Sequence, residues 1–278
     1  SEMCIRDRAE SQVHKQVVRK AVSDRVIQMD PGTKLYFVQV EEPDMHEPTG
    51  DLERLSRSLL DQWGIEGVTC DLRNLVELQT TLRKGNWQIT VALYKDHLSK
   101  APKIISTWPG LHEAGIYGVA IDLGSTTIAA HLTDLKSGVV IASSGIMNPQ
   151  IRFGEDLMSR VSYSMMNQGG DREMTKSVRE AINVLIDDIA KQGDISNNLI
   201  LEVVFVCNPV MHHLLLGIDP VELGQAPFAL ATSDALALGT NELDLNAMNP
   251  SAQCYILPCI AGHVGADAAA VALSEESL

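Results

Sequence analysis

Hydrophobic and polar positions alternate along the chain in blocks that change period several times. Residues 1–32 keep few apolar positions in register and read as a frayed, poorly packed arm. Leu35–Val40 is rich in β-formers and reads as a strand. After the turn Glu47-Pro48-Thr49-Gly50, the residues Leu52, Leu55, Leu59 and Trp63 recur at helical spacing. A second helix, capped by Asp71, puts Leu75, Leu78 and Leu82 on one face and ends at Gly85-Asn86. Residues 87–93 alternate as a strand, and Lys103–Ser106 is its partner. Trp108-Pro109-Gly110 breaks the pattern, which places a domain boundary near residue 113.

From Ile116 the runs 116–123, 127–133 and 139–145 follow one another with short loops at Gly124-Ser125 and Lys136-Ser137-Gly138. Loops this short demand antiparallel hairpins, so the three runs form a meander. Helices follow at 155–166 and 172–191, the latter with Val178, Ala181, Ile182, Leu185, Ile186 and Ile189 on one stripe. A buried strand Leu201–Cys207 and a short helix over 210–216 complete the order. Residues 219–250, richer in Pro, Gly and Asn, read as an insertion. Tyr255–Leu257 resumes as strand, and an Ala-rich helix covers 264–274. This order gives an α/β fold: a ribonuclease-H-like, actin/hexokinase-type half-domain over 113–278, preceded by a small α/β domain over 33–112.

Composition narrows the function classes. With 45% hydrophobic residues the chain can bury a core, but only 4% are aromatic, so aliphatic side chains must fill it. Asp plus Glu (36) exceeds Lys plus Arg (22), and a net charge of −14 argues against binding a nucleic-acid backbone. A single nucleotide remains possible, because backbone N–H groups and a metal ion neutralise phosphates locally. Five scattered cysteines and no long apolar run fit buried thiols in a reducing cytoplasm, with no membrane span.

The segment Val119–Ala129 carries the most chemistry. A buried strand delivers Asp122 at its end. Gly124 lets the backbone approach an anion closely. Ser125, Thr126 and Thr127 follow, offering N–H donors to phosphate oxygens. Asp122 cannot donate to phosphate and suits Mg²⁺, which takes one or two carboxylates beside phosphate oxygens. The alternative is an ordinary hairpin with a surface Asp-x-Gly.

Three further segments have two readings each. Asn208, where strand gives way to helix, either faces a nucleotide cleft or caps the helix. The adjacent His212 and His213 point about 100° apart, a poor metal pair. In the loop Asn148–Asp156, either Gln150, Arg152 or Asp156 touches substrate, metal or partner, or Glu155 and Asp156 are favourable first-turn charges. The glycines of Gly262-His263-Val264-Gly265-Ala266-Asp267 either allow close backbone approach to a ligand or pack before the Ala-rich helix, and packing is the favoured reading. Cys254 and Cys259 lack the companions an iron–sulfur cluster requires.

Taken together, Ala120–Thr127, Asn148–Gly154, Asn208–Pro220 and Ala261–Asp267 resemble the ATP-dependent reductive activators of corrinoid proteins. These belong to the acetate and sugar kinase, Hsc70 and actin superfamily. The resemblance extends over 33–112, similar to that family's middle domain. It implies an ATPase that returns Co(II) corrinoid proteins to Co(I) and so serves methyl-transfer metabolism. The cofactors implied are ATP and Mg²⁺, with a [2Fe–2S] cluster held in a separate N-terminal domain. Asp122 would hold Mg²⁺ and act catalytically. Gly124, Ser125, Thr126, Thr127 and Asn208 would bind the nucleotide. The partner implied is a corrinoid protein, and a homodimer is left open. No ferredoxin-like cysteine segment precedes residue 33, and no second Asp-x-Gly turn appears before Leu278. The resemblance therefore implies a fragment inactive by itself. The competing expectations are a small-molecule kinase of the same fold, with Asp156 as its base, and a non-catalytic docking module.

Overall fold

The computed structural model describes residues 30–260. The arm before residue 30, the glycine motif at 262–267 and the helix expected at 264–274 lie outside the described residues. Two mixed sheets organise the rest. The first has the order β1-β3-β4-β2, built from β1 (Thr33–Gln39), β2 (Thr69–Cys70), β3 (Gln88–Tyr94) and β4 (Lys103–Pro109). Helices α1 (Asp51–Trp63) and α2 (Leu72–Lys84) cover it.

Each helix is bounded by identifiable chemistry. α1 carries Asp51 and Glu53 in its first turn, where acids complement the helix dipole. It ends at Gly64, whose φ of 67° is the left-handed stop that a side chain would oppose. The Asp71 carboxylate caps α2 by accepting from the Asn74 N–H at 3.0 Å. Leu55, Leu59, Leu78 and Leu82 pack on Val38, Ile89, Val91 and Ile104 in one cluster. Leu75 does not join it: α2 buries Asn74, Leu78, Thr81 and Leu82 and leaves Leu75 exposed. Asn74 takes the inward place because its amide donates to the Ile104 carbonyl and the Ser251 hydroxyl, each at 3.1 Å.

The pattern break at Trp108-Pro109 falls inside the strand, since β4 runs to Pro109. β2 meets β4 only at residues 103 and 104, so beyond them β4 is an edge strand. Proline's missing N–H costs nothing there. β2, only two residues long, left no period in the sequence.

The second sheet has the order β7-β6-β5-β8-β10-β9. The meander is β5 (Tyr117–Leu123), β6 (Thr127–Asp134) and β7 (Val140–Met147), with antiparallel pairing throughout. Helices α3 (Leu157–Met166) and α4 (Gly170–Gln192) then carry the chain over to β8 (Ile200–Cys207), which runs parallel to β5. After α5 (Pro209–Leu216), β10 (Gln253–Ile256) adds in parallel beside β8. A meander followed by two parallel strands in this order is the ribonuclease-H-like plan.

α4 anchors the second core. Met174, Val178, Ile182, Leu185, Ile186 and Ile189 are all fully buried. Burial of each such side chain contributes about 1.5–3 kcal/mol. That outweighs the missing side-chain cap at Gly169, since a cap is worth about 1 kcal/mol. Residues 219–250 are not peripheral. They supply β9 (Leu236–Gly239), antiparallel to β10, and put Leu223, Leu243, Leu245 and Met248 into the core. Their apolar runs are too short to show a period.

A third cluster, Ala92, Tyr94, Ile105, Ile116, Leu135 and Leu201, joins the two sheets. Thr33 on β1 also meets Glu202 on β8, through its N–H at 2.9 Å and its hydroxyl at 2.8 Å.

Candidate functional site

β5 alternates. Val119, Ile121 and Leu123 enter the core under α4 and α5, while Ala120 and Asp122 face the opposite, more open side. The same alternation on β8 buries Val203, Phe205 and Cys207. Register pairs Asp122 with Val206, so Asn208 follows at the same end of the neighbouring parallel strand. The structure therefore brings Asp122, the turn 124–127 and Asn208 to one edge of the sheet.

The β5–β6 turn is held from behind. Gly124 donates to the Thr127 carbonyl at 3.1 Å. A Cβ at 124 would lie 2.6 Å from that oxygen, so the closeness of the turn itself requires glycine. The next three carbonyls are all claimed from the protein side. Asn148 Nδ2 donates to Gly124 O at 2.8 Å, Arg160 Nη2 donates to Ser125 O, and the Asn148 N–H donates to Thr126 O at 2.8 Å. In a trans peptide the carbonyl of one residue and the N–H of the next point to opposite sides. Fixing these carbonyls inward turns the Ser125, Thr126 and Thr127 amides away from the support. Among the described residues, the Ser125 and Thr126 amides have no internal acceptor. Consecutive outward amides form an anion-binding concavity, and Asp122 at its rim is placed to supply a carboxylate to Mg²⁺. The donor set fits a magnesium–phosphate group.

The support is buried and polar. Asn148, Gln150 and Arg160 are all fully buried. Asn148 Oδ1 accepts from the Gln150 N–H at 2.9 Å, and Gln150 Nε2 donates to Met174 O at 2.9 Å. Arg160 Nε donates to Gly154 O at 3.1 Å, and its Nη1 reaches Gln150 Oε1 at 3.3 Å and Met211 Sδ at 3.0 Å. Burial pulls the Arg160 guanidinium down to about 10, still cationic at neutral pH. Gln150 thus serves the support. Arg152 lies over the Phe153 ring at 4.6 Å.

Asn208 caps α5, its Oδ1 accepting from the Met211 N–H at 3.0 Å, with Pro209 at the first helical position. Asp156 caps α3 by accepting from the Ser159 N–H at 2.7 Å, and that bond holds its carboxyl below the usual range. A lowered, capping carboxylate is a poor general base. His213 is satisfied, with Nδ1 on Pro209 O at 2.9 Å and Nε2 accepting from Ala231 N–H at 3.0 Å. Among the described residues, both ring nitrogens of buried His212 lack a partner, and burial pushes it down to about 4. None of the described cysteines forms a disulfide. Cys254 is buried within β10, where burial raises its thiol, and no metal-ligand cluster occurs among the described residues. A cavity of about 690 Å³ opens between the two sheets beside Lys34, Tyr36, Tyr94, His97 and Glu202, and no residue of the 124–127 turn lines it.

Sequence reasoning missed Arg160 and the side chain of Asn148. One signal for Arg160 existed. Leu157, Arg160, Val161 and Ser164 fall at helical spacing, so the arginine stands on the inward stripe of α3.

Comparison with known proteins gives the context. Residues 22–114 match the family model described as the RACo linker region, and residues 117–276 match the RACo middle region. "Middle" thus belongs to the second unit, and the unit over 33–112 falls within the linker. The corrinoid activation enzyme RamQ of Eubacterium limosum is 33% identical over 161 residues, 58% of this chain and 27% of that protein. A solved structure titled "Reductive activator for corrinoid,iron-sulfur protein" is 31% identical with a TM-score of 0.78, covering 87% of this chain and 38% of that one. The chain spans well under half the length of these relatives. It belongs to the RACo family and carries that family's linker and middle regions.

Proposed function

We propose that the chain is the linker and the first nucleotide-binding portion of an ATP-dependent activator that returns Co(II) corrinoid proteins to Co(I). Family membership supports the activator reading, and the relatives' names point to corrinoid activation and a corrinoid, iron-sulfur protein. The observation that carries the nucleotide part is the fixing of the Gly124, Ser125 and Thr126 carbonyls, which aims the following amides outward.

In this reading the outward amides of Ser125, Thr126 and Thr127 bind phosphate oxygens, and Asp122 holds Mg²⁺. Asn208 lies at the same edge, capping α5 with its Oδ1, and its amide N–H₂ faces the nucleotide. Bound Mg²⁺ would neutralise charge on the phosphate chain. The [2Fe–2S] cluster would be held by a separate N-terminal domain of the full-length activator. The division near residue 113, a cytoplasmic location and a corrinoid-protein partner are parts of the same reading. No helix among the described residues is long and apolar enough to cross a membrane. The kinase alternative loses its base, since Asp156 is a helix cap.

Calorimetric titration of the chain with ADP, with and without Mg²⁺, tests the reading. Magnesium-dependent affinity that Asp122→Ala weakens at least ~10-fold is expected. Equal affinity in the variant, or no binding to the folded wild type, refutes it.

A further inference from the structure

Arg160 is a fully buried cation, and among the described residues none of its contacts is a carboxylate. Its donors go to two carbonyl oxygens, an amide oxygen and a thioether sulfur, all neutral. A charge removed from water is costly unless an opposite charge compensates it. Asp156, at the start of the same helix, attracts the guanidinium without a direct contact, its Oδ1 being engaged by the Ser159 N–H, and this attraction offsets only part of the cost of burial. The only feature of the phosphate turn that Arg160 touches is the Ser125 carbonyl, and the amide on the far side of that peptide unit is Thr126 N–H, which points outward.

We propose that Arg160 is the positioning residue of the anion seat: it fixes the Ser125–Thr126 peptide and supplies, through it, a buried positive charge whose counter-charge is the bound phosphate chain. The proposal rests on the nucleotide reading above and names its determinant. The two roles share one geometry. Pulling the Ser125 oxygen inward points the Thr126 N–H at the ligand, and the guanidinium stands directly behind that peptide. Lysine would keep the charge, but one ammonium cannot span Ser125 O, Gly154 O and Gln150 Oε1 together, as the planar guanidinium does. Gln150 offers an independent handle. Its Oε1 is the acceptor for Arg160 Nη1, so Gln150→Glu would give the arginine an internal counter-ion of the same shape, with loss of the Nε2 bond to Met174 O.

The test titrates wild type, Arg160→Lys and Gln150→Glu with magnesium-free tripolyphosphate and with Mg-ADP, and checks each fold by circular dichroism and cooperative melting. Both variants should bind tripolyphosphate at least ~10-fold more weakly. Mg-ADP affinity should fall by a similar factor, because Arg160 acts only on the phosphate end. A Gln150→Leu control, which loses the same bond to Met174 O without adding a charge, should bind tripolyphosphate more tightly than Gln150→Glu, which separates charge completion from simple damage to the support. Wild-type tripolyphosphate affinity in a folded Gln150→Glu chain overturns the proposal, whatever happens to Arg160→Lys. Absence of binding in wild type is a different result and refutes the nucleotide reading itself.

Discussion

Thr33 and Glu202, 169 positions apart in the chain, meet through two bonds to one carboxylate oxygen: the threonine N–H at 2.9 Å and its hydroxyl at 2.8 Å. They tie the first strand of the linker sheet to β8, the strand that ends beside the 124–127 turn. Gly32 makes the approach possible, since a Cβ there would lie 2.7 Å from the Tyr94 ring and 3.2 Å from Glu202 Oε2.

The contact has a pH signature. Burial raises the Glu202 carboxyl above its ordinary value, and the Thr33 bonds oppose the shift without cancelling it. A raised acid stabilises the fold fully below its unfolded pKa, and that contribution is lost as pH rises through the folded value. Glu202→Gln, which stays neutral, should therefore melt above wild type at pH 8, with the gap closing toward pH 4. Thr33→Val keeps the N–H bond and removes a hydroxyl donor to a charged oxygen. It should cost about 1.5–3 kcal/mol in urea unfolding at pH 8.

At Gly124 the prediction is steric. Alanine would put its Cβ against backbone, 2.6 Å from the Thr127 oxygen, and backbone cannot rotate aside as a flexible side chain can. Overpacking of this kind costs about 1–3 kcal/mol. Gly124→Ala should lose that much stability by denaturant unfolding. Titration should show ADP affinity falling with it, as the turn opens and the Ser125 and Thr126 amides lose their aim. An unchanged melt would mean that the hairpin has slack it does not display.

Much of this was readable in advance. The meander, α4 and the parallel strand β8 follow from period and loop length, and the clustering of Asp122, residues 124–127 and Asn208 follows from their order. What eluded the sequence depends on long-range pairing. Arg160 and Ser125 are 35 positions apart, and Asn148 and Gly124 are 24 apart, so no local pattern joins them. Leu75 obeys helical spacing yet stays exposed, because Asn74 finds partners on β4 and at Ser251 that no helical wheel contains. β9 hid in a stretch whose glycines and prolines resemble a loop, and only its pairing with β10 makes it a strand.

His212 supplies the last test. It is fully buried, and among the described residues neither ring nitrogen has a hydrogen-bond partner, whereas His213 beside it is bonded at both. An unsatisfied buried polar group costs about 1–3 kcal/mol. Burial, with a smaller repulsion from His213, pushes His212 down to about 4. A depressed histidine stabilises the fold above its unfolded pKa of about 6.5, and that contribution is lost as pH falls toward 4. His212→Leu, apolar and of similar volume, removes both effects. It should unfold at higher urea than wild type at pH 7, by about 1 kcal/mol or more. Its stability should also fall less steeply than wild type between pH 6.5 and 4. A variant less stable at pH 7, with an unchanged acid slope, would mean that the imidazole earns its place through a bond absent from this structure.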